Sequence, residues 1–211
     1  MTSGMYWVLA TQNAKKAKEL VALSDGSVEV KTLKDIGLGD LEIIEDGDSF
    51  KANAHIKAHT VLTHMRDNNF SPMPQWVVAD DSGICVIALD GAPGIRSARY
   101  ALDAGTGEGD DDNNTLLFKS LEKTPQPKDR KAFFACAVCA VSSQGERKDF
   151  YGEVHGTIAQ GLTGDGGFGY DPLFIPDAYP DQSMAELTAA QKHAISHRGA
   201  AMRDLCRALI P

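Results

Sequence analysis

The sequence predicts an α/β protein on a mixed sheet, folding as one unit. Three observations carry that prediction. Segments of strand character alternate along the chain with segments whose apolar residues recur at the helical period. No repeat and no linker-like stretch divides the 211 residues, a length that suits one sizeable domain or one domain split into two lobes. The composition, 43% hydrophobic and 24% charged, is that of an ordinary globular chain.

Residues 6–10 form a short apolar run and read as the first strand. Asn13 can cap a helix reaching about Leu23, with Ala14, Ala17, Leu20 and Val21 on one side. Residues 28–33 alternate like a strand, and residues 34–48, with three glycines, read as loop. Ser49 is a good N-cap for a helix from Phe50 to about Met65, whose apolar positions Phe50, Ala54, Ala58, Val61, Leu62 and Met65 keep the 3.6-residue period. Residues 76–79 read as a strand that stops at Asp80-Asp81-Ser82-Gly83, with residues 84–89 as the returning strand. Residues 105–112, rich in Gly and Asp, read as a surface loop capping a helix over residues 113–121. Strands follow over residues 132–141 and 149–157, then a glycine-rich loop over 161–171, and a last helix over 196–209.

Charge and cysteine content narrow the classes of function. The net charge of -8 opposes non-specific binding of nucleic acid, and a small anionic ligand would need a local positive site or a bound cation. Residues 1–20 show no secretory pattern, and no run approaches the roughly 18 apolar residues of a membrane span. Cys136 and Cys139 have CxxC spacing. They fall in a strand-like segment, where positions three apart face opposite ways, and no second pair exists to complete a zinc site. Four cysteines in apolar surroundings suit a reducing cytoplasm.

Four constellations can carry chemistry. Residues 10–16, Ala10-Thr11-Gln12-Asn13-Ala14-Lys15-Lys16, lie at a strand-to-helix junction, where backbone N–H groups and the helix dipole favour a phosphate; a capped helix with a solvated lysine face is the alternative. The Gly-Lys-Ser/Thr of a P-loop is absent. Asp80-Asp81-Ser82-Gly83 places paired carboxylates at a strand end, which suits a magnesium ion or a general base; the same residues also make turns. Gly164–Asp171 contains a formal GxGxxG, but Pro172 follows instead of a helix, so the dinucleotide reading fails. Its aromatics, Phe168 and Tyr170, either stack on a base or plug the core. Finally, Ser196 can cap the last helix and place His197 and Arg198 in its first turn. Positive groups there oppose the dipole, which favours a functional reading as donors to a carbonyl or phosphate oxygen.

The combination resembles the inosine triphosphate pyrophosphatase family, the non-standard purine NTP pyrophosphatases. The likeness rests on Ala10-Thr11-x-Asn13-x-x-Lys16, Ala79-Asp80-Asp81-Ser82-Gly83, Gly91-Ala92-Pro93-Gly94, Ser97-Ala98-Arg99-Tyr100, Gly167-Phe168-Gly169-Tyr170-Asp171-Pro172 and Ala194-Ile195-Ser196-His197-Arg198-Gly199, and it runs from Val8 to the last helix. The resemblance implies a strongly twisted mixed sheet with flanking helices, in two lobes around a central cleft, and a homodimer. It implies hydrolysis of deaminated purine triphosphates such as dITP, ITP and XTP to the monophosphate and pyrophosphate, with Mg²⁺. By the same resemblance, the segment from Thr11 through Gln12, Asn13, Ala14 and Lys15 to Lys16 holds the triphosphate, together with Lys57. Glu45 and Asp81 ligate the metal, Asp81 is the general base, and Ser82 touches the substrate. Phe168, Gly169, Tyr170 and Asp171 line the base site, and Lys192, His197 and Arg198 read the purine. Ala52 stands where the family often has Glu, and Gln12, Asp90 and Arg96 also depart from its pattern. A related pyrophosphatase for modified pyrimidine nucleotides, and a nucleotide-binding regulator without turnover, are the competing readings.

Overall fold

The computed structural model describes residues 6–12, 14–122 and 129–210, without the side chains of Ala14 and Lys15. Among these residues six strands form one mixed sheet: β1 (Tyr6–Leu9), β2 (Glu29–Thr32), β3 (Trp76–Val86), β4 (Lys131–Ser142), β5 (Arg147–Ile158) and β6 (Phe174–Pro176). Their hydrogen-bonded order is β2-β1-β3-β4-β5-β6. β1 runs parallel to β2 and β3, and β6 antiparallel to β5. The helices are α1 (Ala14–Leu23), α2 (Phe50–Asp67), α3 (Tyr100–Asp103), α4 (Asp110–Ser120), α5 (Ala189–Ile195) and α6 (His197–Leu209). The predicted α/β class with a mixed sheet is the observed one.

The chain forms two compact units. The first comprises Met1–Asp81, Ala137–Tyr151 and Gly199–Pro211, and the second Ser82–Cys136 and Gly152–Arg198. Each has its own core. In the first, Val8, Val77 and Cys139 of the sheet meet Ala58, Val61, Leu62 and Met65 of α2. Those α2 positions are the ones picked out by the helical period, and Ser49 caps the helix by accepting from the Ala52 N–H at 3.2 Å. In the second, Ile84, Leu117, Leu121, Phe134, Ile158 and Phe174 are buried together. There β6 approaches β5 so closely that a β-carbon on Gly156 would collide with the carbonyl of Ile175.

Three sequence expectations are corrected. Asp80-Asp81-Ser82-Gly83 is not a turn between two strands: β3 runs through it without a break, because both carboxylates find side-chain partners and need no turn backbone. α4 starts at Asp110, three residues earlier than expected, since Asp110, Asp111 and Asp112 suit the positive end of the helix dipole as well as a loop. β6 and α5 were not anticipated. α5 opens with a reciprocal capping box, Thr188 with Gln191, whose spacing is visible in the sequence.

Candidate active site

In the first unit, four segments bring charge to one place. β1 ends at Leu9, so Ala10, Thr11 and Gln12 lead into α1, and Gln12 donates to the Gly39 carbonyl at 2.8 Å. From the first turns of α1, the Lys16 ammonium reaches Asp80 Oδ2 at 2.8 Å. From the middle of α2, Lys57 donates to Glu45 Oε2 at 2.6 Å and lies 3.5 Å from Asp81 Oδ1. Thr11, Gln12, Lys16, Glu45, Lys57 and Asp80 line one pocket of about 280 Å³, which Leu33, Leu41 and Ile43 complete on its apolar side. The sequence-predicted phosphate and metal residues therefore converge, with two qualifications of place. Asn13 lies outside the described residues, as do the side chains of Ala14 and Lys15.

Burial sets the electrostatics. Asp80 is 2% exposed and stays compatible with the interior through Lys16. Desolvation raises the Asp81 pKa above the ordinary carboxylate value; Lys57 and the Asn53 amide pull it back, while Glu45 and Asp80 push it further up. Burial alone would lower the Lys57 pKa, but Asp81, Asp80 and Glu45 outweigh it and leave Lys57 firmly protonated, with its pKa raised. Asn53 is a residue the sequence reading missed. It is 2% exposed, donates to Asp81 Oδ2 at 3.1 Å and accepts from the Gly47 N–H at 2.9 Å, so it aims Asp81 and ties down the loop after Glu45. The available signal was a buried-side asparagine one turn before Lys57 on the same helix.

No group of three or more His, Cys, Asp or Glu among the described residues is arranged to hold a metal ion. What exists is a pair, Glu45 and Asp81, meeting at one ammonium. That donor set, hard carboxylate oxygens only, fits a divalent cation that completes its shell with substrate phosphates and water.

The second unit gathers the remaining predicted residues. The Phe168 ring is 46% exposed, with the Lys192 ammonium 4.7 Å and the Arg198 guanidinium 5.9 Å from its centroid. Asp171 is buried; its Oδ2 accepts from the Phe168 N–H at 2.8 Å and from Lys192. The two aromatics of the loop divide the roles left open by the sequence. Phe168 is outside, whereas Tyr170 is 4% exposed and donates to the Ser97 carbonyl at 2.8 Å, its own pKa raised by burial. Arg198 donates to Ser82 Oγ at 3.4 Å, and His197 stacks on Phe134 at 5.0 Å. Ser196 directly precedes α6 in an extended conformation.

The Ham1 family model matches residues 7–208. A dITP/XTP pyrophosphatase of Listeria monocytogenes is 44% identical, covering 96% of this chain and 94% of its own. One from Clostridium perfringens is 40% identical with 94% of both chains covered. The chain belongs to the Ham1 family. Solved Ham1 proteins share its fold: that of Coxiella burnetii superposes with a TM-score of 0.84 at 32% identity, covering 97% of this chain and 98% of that one, and that of Staphylococcus aureus with 0.82 at 35%, covering 97% of each. Within this Ham1-family chain, Ala52 contributes only a backbone N–H to the Ser49 cap, so the carboxylates gathered near Lys57 are Glu45, Asp80 and Asp81. The buried CxxC cysteines sit on β4 as the sequence indicated, and desolvation pushes Cys139 up to about 12.

Proposed function

We propose that this chain hydrolyses deaminated purine nucleoside triphosphates, dITP, ITP, XTP and dXTP, to the monophosphate and pyrophosphate, and so clears them from the nucleotide pool. The observation that carries the reading is the balance of charge in the first unit. Two ammonium groups, Lys16 and Lys57, meet three carboxylates, Glu45, Asp80 and Asp81, a formal balance of -1. A triphosphate would be repelled from such a site unless a cation came with it, which supports Mg²⁺ bound jointly by substrate oxygens, Glu45 and Asp81. When bound, the ion supplies neutralisation of the charge that develops on the leaving pyrophosphate.

The chain's own residues do the rest. Lys16 and Lys57 bind phosphate oxygens, with Thr11, Gln12 and the start of α1 around them. Asp81, aimed by Asn53 and raised in pKa by burial, takes the proton of water as its oxygen bonds to phosphorus and the bridging oxygen between α- and β-phosphates leaves. In the second unit the half-exposed Phe168 ring offers a stacking face, and Lys192, Arg198 and His197 offer donors to a 6-oxo group, where adenine would present a donor instead. The names of the relatives favour this substrate class over modified pyrimidines.

Pyrophosphate release from dITP with Mg²⁺, set beside ATP and modified pyrimidine triphosphates, is the test. Turnover of dITP that disappears in EDTA and returns with Mg²⁺ is the expected result. Binding without turnover would make the chain a regulator, and activity in verified absence of metal would remove the ion from the reaction. The chain crosses between its two units four times, which supports one folding unit. Family resemblance supports a homodimer, which sedimentation equilibrium tests. No described helix is long and apolar enough to cross a membrane, and four buried cysteines that form no disulfide support a cytoplasmic setting.

A further inference from the structure

We propose that Asp110 and Asn114, at the start of α4, are positioning residues that hold Phe168 where it receives the base. This rests on the reading of Phe168 as the stacking residue. Because its ring is 46% exposed, core packing does not fix it, and the backbone on either side must. On its own N–H, Phe168 is held by Asp171 Oδ2. Beyond it, Gly169 is gripped at both polar atoms: its N–H donates to Asp110 Oδ2 at 2.7 Å, and its carbonyl accepts from Asn114 Nδ2 at 2.8 Å. Asp110 and Asn114 are four residues apart and share one helix face, and Asn114 Nδ2 also donates to the Asp110 carbonyl at 2.9 Å. Gly169 has φ of 60°, the left-handed region, so the grip fixes an unusual backbone turn immediately after Phe168.

A second observation shows that stability alone does not explain Asn114. The residue is 3% exposed, and its Oδ1 is buried with no hydrogen-bond partner among the described residues. The amide cannot turn over to relieve this, because Oδ1 would then face the carbonyl oxygens of Asp110 and Gly169 that now accept from Nδ2. An unsatisfied buried acceptor destabilises, and Asn is a poor residue for a helix interior; leucine would do better on both counts. What Asn114 contributes in return is the hold on Gly169. Its neighbour Asn113 has a different task, accepting from the Ala101 N–H at 2.8 Å and donating to the Ala98 carbonyl at 3.2 Å. One turn of α4 thus organises two loop segments, and only the Asp110–Asn114 face acts on the base site.

The test uses Asn114→Leu, Asp110→Ala and Asp110→Asn, each alone and combined with Phe168→Ala. The readouts are kcat and KM for dITP and the inhibition constant of inorganic tripolyphosphate, which has phosphates and no base. Asn114→Leu and Asp110→Ala are expected to raise KM for dITP about 3- to 10-fold with kcat changed less than about two-fold, the signature of lost ground-state binding. Tripolyphosphate inhibition stays unchanged, and Asp110→Asn, which keeps an acceptor oxygen, restores most of the affinity. In the Phe168→Ala background the same substitutions add nothing. If tripolyphosphate inhibition weakens in step with dITP, or if the losses multiply in the Phe168→Ala background, the two residues support the fold at large and the proposal is wrong. Asp110 is exposed, so Asp110→Ala decides the matter even if Asn114→Leu does not fold. If Phe168→Ala leaves KM for dITP unaltered, the base-site reading falls, and this proposal falls with it.

Discussion

The two groups of site residues differ in how they hold charge. In the first unit the two site ammonium groups are matched, Lys16 by Asp80 and Lys57 by Glu45 and Asp81, and the three carboxylates outnumber them by one. In the second unit the Lys192 ammonium pairs with Asp171, and Lys192 and Arg198 both lie over the Phe168 ring. A site with excess negative charge handles a polyphosphate only with a cation and is built for a reaction in which charge moves. A site with an aromatic face flanked by cationic donors suits an uncharged, oxygen-rich ring whose donors and acceptors must be told apart. On the proposed reading chemistry belongs to the first group and selectivity to the second, and substitutions in each should fail in different ways.

The largest effect is expected at Asp81. Asp81→Asn keeps the shape and the contact from Asn53 but removes the base, and kcat for dITP should fall about 10²- to 10⁴-fold with the fold retained. A variant keeping more than half of wild-type kcat would take the proton-accepting role away from the first unit. Next comes Arg198→Ala, where loss of a charged donor should lower kcat/KM for ITP about 10- to 150-fold and for ATP much less. The ratio of the two substrates is the measurement; a parallel fall would mean that Arg198 holds phosphate or structure, and the division of labour would not stand. The smallest expected effect sharpens the comparison instead. Asn53 donates to Asp81 and lowers its pKa, so Asn53→Ala should raise it further. Activity that needs ionised Asp81 is present above that pKa and lost as pH falls through it. The acid limb of kcat/KM for dITP should therefore move to higher pH in the variant, with the ITP-to-ATP ratio constant. An unmoved limb would mean that another group sets it.

Much of this was legible in the sequence, for identifiable reasons. α2 announced itself because six apolar residues keep one period and Ser49 caps it, and all of that is local. Lys16, Glu45, Lys57 and Asp81 carried motif information that the fold then brought together. The Asp80–Gly83 segment misled because its residues favour turns by local chemistry, while the partners that keep it extended, Lys16 and Asn53, lie 64 and 28 residues away along the chain. Tyr170 and Phe168 were indistinguishable by the same logic: which ring goes inside depends on the Ser97 carbonyl, 73 residues distant from Tyr170. Asn53 and Asn114 were missed because a lone asparagine within a helix has no pattern of its own; only its partners give it meaning.

The buried cysteines have a practical consequence. All four are buried, and desolvation lifts the Cys85 thiol to about 11 and the Cys139 thiol to about 12. Since the thiolate is the reacting species, alkylating reagents at neutral pH find almost nothing to attack in the closed molecule. Cys139 lies in the first unit and Cys85 in the second, so their rates of modification clock the opening of each unit separately, with no label added to the chain.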